Sequence, residues 1–164
     1  MVKKILVGIG LLGLLGILVV PALAADTASV SATVTPRLIS ITVSPTSTDY
    51  GIMGTNESKI APDTFTLTND GNVVEDINIR GTSTAAWTLS DTAIGSEQFM
   101  HKARVGATWI DDASVVALAT TNKLFIDNMA VGSQNFRLKI YTPSSTAATA
   151  AQSTTVTLVA SYAQ

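Results

Sequence analysis

Residues 65–81 read FTLTNDGNVVEDINIRG. Phe65 and Leu67 alternate with Thr64, Thr66 and Thr68. Val73, Ile77 and Ile79 share a face opposite Asp76, Asn78 and Arg80. A period of two marks an extended segment that buries one side. Asn69-Asp70-Gly71-Asn72 stands between the two runs. These residue types tolerate positive φ or bond their own backbone. The stretch therefore predicts strand, turn, strand.

The same alternation recurs in both directions. Upstream, Val30, Ala32 and Val34 alternate with Ser29, Ser31, Thr33 and Thr35. After Pro36 the pattern resumes with Ile39, Ile41 and Val43, and Ser44-Pro45-Thr46 reads as a turn. Downstream, Gly81 and Ser83 mark a turn before Trp87-Thr88-Leu89. Phe99, Ala103 and Val105 then alternate with Met100, Lys102 and Arg104. A short strand is expected at Trp109-Ile110, a turn at Asp111-Asp112, and strands again at Val115–Leu118 and Leu124–Ile126. Phe136, Leu138 and Ile140 alternate with Asn135, Arg137, Lys139 and Tyr141. Val156, Leu158, Ala160 and Tyr162 make the last strand.

Thr, Ser, Val and Ala dominate, and no segment beyond the N-terminus sustains a helical period. Residues 112–122 could also form a helical turn. The pattern as a whole predicts an all-β protein, an Ig-like antiparallel β-sandwich of about 8–10 short strands. Residues 142–155, TPSSTAATAAQSTT, read as an exposed Ser/Thr/Ala-rich loop.

The N-terminus decides the expected compartment. Lys3 and Lys4 precede ILVGIGLLGLLGILVV, then Pro21 and Ala22-Leu23-Ala24. This is the charged, apolar and small-residue order of a secretory signal peptide. The apolar run of about 16 residues is short of the ~20 that cross a bilayer. Residues 1–24 are expected to be a signal-peptide helix cleaved after Ala24, and residues 25–164 one domain. Without Lys3 and Lys4 the formal charge moves from −2 to about −4. No basic cluster offers a surface for nucleic acid or anionic lipid. The only membrane association expected is through an uncleaved leader. With no cysteine, thiol chemistry and disulfide staples are excluded, and the core must carry the stability.

Residues with chemical potential are few. His101 is the sole histidine and would share a face with Phe99 and Ala103, a core position. Asp70, Asn72, Glu75 and Asp76 flank one turn and Asp111-Asp112 another. Asp70 and Asn72 match the start of a calcium loop, but Val73-Val74 do not continue it, so a solvated acidic turn is expected. Trp87, Trp109, Tyr50, Tyr141 and Tyr162 could stack on sugars, but at 5% aromatic content packing is the expected role. Asn56-Glu57-Ser58 matches an N-glycosylation acceptor. No catalytic, metal or cofactor residue is assigned.

FTLTNDGNVVEDINIRG resembles the strand–turn–strand of CARDB-like Ig modules on bacterial and archaeal surface proteins. Arg80-Gly81-Thr82 with Trp87-Thr88-Leu89 is similar to part of the WxL surface domains. A second W-x-L is missing, since Ile110-Asp111 follows Trp109. The resemblance implies a cell-surface Ig-like domain and no particular ligand residue.

The functional expectation is a non-enzymatic secreted or cell-surface structural protein. Its partners would be itself or other envelope proteins. Residues 25–43, interrupted by Pro36, form a strand segment available for exchange with a neighbour's sheet. The alternative is an Ig-like module that binds cell-wall polysaccharide through Trp87 or Trp109.

Overall fold

The structure, a computed structural model, describes residues 28–164; the expected signal peptide lies outside them. The described chain is all-β, with ten strands in two sheets and no helix among the described residues. The strands are β1 (Ile41–Ser44), β2 (Ser58–Ile60), β3 (Phe65–Asn69), β4 (Glu75–Gly81), β5 (Thr88–Leu89), β6 (Gln98–Val105), β7 (Val116–Ala117), β8 (Lys123–Met129), β9 (Gly132–Tyr141) and β10 (Val156–Tyr162).

The larger sheet runs β1-β3-β9-β6-β5, with β2 also on β9 and β7 on β6. The smaller sheet is β10-β4-β8. All pairs are antiparallel except β5 with β6. β9 is the centre of the larger sheet, and its burial alternates from Phe136 to Tyr141 as the sequence predicts. One core joins the inward faces of both sheets: Phe65, Leu67, Phe99, Phe136 and Leu138 from one, Ile77, Ile79 and Phe125 from the other. Phe125 meets Phe136 edge-on at 5.7 Å, and Phe65 stacks on Phe136 at 5.1 Å. Each such fully buried side chain contributes on the order of 1.5–3 kcal/mol.

The turn at residues 69–72 is present, but it does not join a hairpin. β3 pairs with β1 and β9, whereas β4 pairs with β10 and β8. The segment is a corner that carries the chain from one sheet to the other. Buried Asn69 builds it. Its Nδ2 donates to the carbonyls of Val73 (2.9 Å) and Met129 (3.1 Å), and its Oδ1 accepts from Gly71 N–H (3.0 Å). Gly71 is required by close approach: a Cβ there would stand 2.7 Å from Glu75 Oε1 and closer still to the Leu38 carbonyl oxygen.

Four further expectations are corrected. Val30–Val34 form no strand, and Val30 and Val34 are 95% and 86% exposed. Alternation marks a face that could be buried but supplies no edge to pair with. Trp109-Ile110 lies in a loop, whereas the strand expected at Val115–Leu118 is present as β7. Glu75 is not part of a solvated turn; it is fully buried, in phase with Ile77 and Ile79. Its Oε1 accepts from Ser40 N–H at 2.9 Å. Finally, Thr142 and Pro143 at the head of the Ser/Thr/Ala-rich loop are buried rather than exposed. Thr142 Oγ1 donates to the Gly54 carbonyl (2.7 Å) and accepts from Glu57 N–H (2.9 Å), tying down a segment that shows no alternation.

Candidate functional site

The smaller sheet has three strands and faces a sheet of seven. It is therefore too narrow to cover the larger one. β10 pairs only with β4 among the described residues, and Val156, Leu158 and Ala160 are half-buried against the core. β1, at the margin of the larger sheet, pairs only with β3 among the described residues, and Ile41 and Val43 are likewise half-buried. Between β1 and β10 runs a groove of about 1040 Å³. Its floor is the inward face of the larger sheet: Phe65, Phe136, Leu138, Ile140 and His101. That volume sits at the top of the ~300–1,000 Å³ usual for small-ligand sites.

Two loops wall the groove, residues 45–55 and 146–155. The second is Ser/Thr/Ala-rich but held in place. Trp87 Nε1 donates to Thr146 Oγ1 (2.8 Å), and Thr146 Oγ1 donates to Glu97 Oε2 (2.6 Å). Gln152 Oε1 accepts from Thr84 Oγ1 (2.7 Å) and Ala86 N–H (3.0 Å). The hydrogen bond from Thr146, and then that from Ala147 N–H, holds the Glu97 carboxyl below its usual range.

His101 lies where the alternation puts it, beside Phe99 and Ala103 on β6, and is buried. Its Nε2 shares a 2.8 Å hydrogen bond with the Tyr50 hydroxyl, and its Nδ1 is buried without a protein partner. Burial pushes the imidazole down to about 4. Burial also raises the Tyr50 phenol, against the opposing pull of the Arg137 charge. Both rings are thus neutral near pH 7. The pair gives the groove floor one internal polar contact and leaves Nδ1 unpaired.

The acidic residues are scattered. Asp70 is exposed, Asp76 accepts from Asn128 N–H (3.0 Å), and no group of three His, Cys, Asp or Glu side chains converges among the described residues. Asn56 is exposed, at φ 56°. Asp112 is the centre of a cluster that sequence reasoning missed. It accepts from the Tyr141 hydroxyl, from Trp109 Nε1 (3.0 Å), and from Lys102 and Lys139 (3.3 Å each). Lys102 and Lys139 are cross-strand partners on the outward face of β6 and β9. The Tyr141 bond, followed by those from Trp109 and the lysines, outweighs partial burial and depresses the Asp112 carboxyl far below its usual range. The cluster pins the loop at residues 107–115 onto the sheet. The outward parity of Lys139 and Tyr141 was readable; which loop would reach them was not.

The two tryptophans are half-buried, and both indole N–H groups are bonded within the chain. Tyr162 is 38% exposed and carries the Arg37 guanidinium 3.5 Å above its ring. Residues 36–40 are fastened to the corner by further bonds. Asn72 Oδ1 accepts from Leu38 N–H (2.8 Å), Asn72 Nδ2 donates to the Pro36 carbonyl (2.9 Å), and Asn72 N–H donates to the Leu38 carbonyl (3.1 Å). Compared with known proteins, the chain matches no family model, no curated protein and no solved structure.

Proposed function

We propose that this chain is a secreted, non-enzymatic surface protein, an Ig-like β-sandwich that serves as a structural subunit of a layer, coat or fibre. It joins copies of itself, or other envelope proteins, by strand addition. The observation that carries this reading is the open apolar groove between β1 and β10, flanked by two strands each paired on one side only. An unpaired strand edge beside exposed apolar surface is a template for a further strand. The groove floor offers no charge to a polar ligand: its one titratable pair, Tyr50 and His101, is neutral near pH 7. Glycan binding is less favoured, because Trp87 packs on Phe99 at 6.2 Å and Lys139 Nζ sits 5.6 Å over the Trp109 ring, so the half-buried ring faces are partly taken within the chain.

Sedimentation and negative-stain electron microscopy of purified residues 25–164 at rising concentration test the reading. Ordered polymers or sheets are expected. A particle that stays monomeric at every concentration, alone and with envelope extract, refutes it.

A further inference from the structure

The groove has an occupant of matching length and chemistry in the chain itself. Resting on the assembly reading above, we propose that residues 29–35 of one copy lie along β10 of the next as a fourth strand of the smaller sheet. Val30, Ala32 and Val34 point into the groove, and Ser29, Ser31, Thr33 and Thr35 point out.

Four observations support this assignment. First, the arm is built as a strand and is not used as one. Val30 and Val34 are 95% and 86% exposed, although the segment alternates and carries no charge between Thr27 and Pro36. Exposed β-branched side chains at a strand period are costly in water and gain on pairing. Second, the place beside β10 is a strand's place. β10 has seven residues, and seven extended residues span about 23 Å at ~3.3 Å each. Third, the groove suits apolar side chains, because Ile41 and Val43 line one wall and Val156 and Leu158 the other.

Fourth, the arm's apolar side chains lie bare, with Val30 and Val34 95% and 86% exposed, while the groove is lined by residues 41–158. The arm's root is fastened at the corner near residues 69–75, at the Tyr162 end of β10, where Tyr162 faces Glu75 across the ladder. The groove is walled at the other end, around Val156, which faces Gly81. Arm and groove are separate surfaces of the chain, so a contact between copies uses a different patch on each partner. Such a contact is head-to-tail, and a head-to-tail contact that does not close into a ring grows an open filament.

The test uses the full mature chain. In V30D/V34D both substitutions fall on exposed positions, so the domain folds, as circular dichroism will check. Two measurements follow: polymer content of each chain, and binding of a fluorescent peptide of residues 27–36 to V30D/V34D. The expected result is that wild type polymerises, V30D/V34D does not, and the variant binds the peptide. A peptide carrying the same two aspartates should bind at least about tenfold more weakly, since two buried valines are lost. Polymers that persist in V30D/V34D, with no peptide bound, overturn the arm's role and leave assembly standing. A wild type that stays monomeric and blocks the peptide that V30D/V34D binds shows the arm in its own groove, which overturns the exchange. A wild type that stays monomeric, with no peptide bound by either chain, overturns both readings.

Discussion

Lowering the pH from 7 to 4 should destabilise this protein through His101 in particular. The ring is 3% exposed on the groove floor, and burial holds its pKa at about 4, against 6.5 for an unburied imidazole. At neutral pH neither the folded nor the unfolded chain binds a proton there. Below pH 6.5 the unfolded chain binds one and the folded chain does not, so stability falls with pH until the folded ring also titrates near 4. The shift corresponds to about 2 kcal/mol lost by pH 5 and about 3 by pH 4. For a domain of ordinary stability that is a large fraction of the total. The assay is urea denaturation of wild type and His101→Gln at pH 7, 6, 5 and 4. Carboxylates held below their usual range, such as Asp91 and Asp112, lose stability at low pH in both proteins. The difference between the two curves therefore isolates the imidazole. Wild type should lose about 3 kcal/mol more than the variant across this range. Parallel curves would refute the placement of a neutral, buried His101.

Three other substitutions have expected outcomes. Phe136→Ala removes the ring that Phe65 and Phe125 both pack on and should cost about 3–5 kcal/mol in denaturant unfolding. Gly71→Ala forces the corner off the Leu38 carbonyl and Glu75, and should cost about 1–3 kcal/mol, read as a lower denaturation midpoint. Asp112→Asn should change global stability by under about 1 kcal/mol, because its carboxylate is 40% exposed. It should nonetheless raise the proteolytic susceptibility of residues 107–115, which limited proteolysis reads.

Where a strand buries one face within the chain, its side-chain period was enough to find it. β9, β3 and the apolar positions of β6 are legible because Phe, Leu and Ile alternate with polar residues there. Glu75 shows the limit of reading residue type over parity: its phase with Ile77 pointed inward while its charge suggested solvent. The Asn69–Asn72 turn was visible, but a turn says that the chain reverses, not which sheet receives it. Residues 47–60 gave no strand pattern because their order comes from distant partners such as Thr142. The groove was illegible for the same reason: it arises from the mismatch between a three-stranded and a seven-stranded sheet, a sum over pairings that no local pattern encodes. The alternation at Val30–Val34 predicted a strand that the structure does not form, because an alternating face says nothing of a partner edge.

Backbone hydrogen exchange of the wild-type mature chain, dilute and then concentrated, reaches the centre of this account. Concentration should slow exchange at residues 29–35 and at the amides of β10 together, with the larger sheet unchanged. An arm that exchanges as open coil at every concentration, beside an equally unchanged β10, would contradict it.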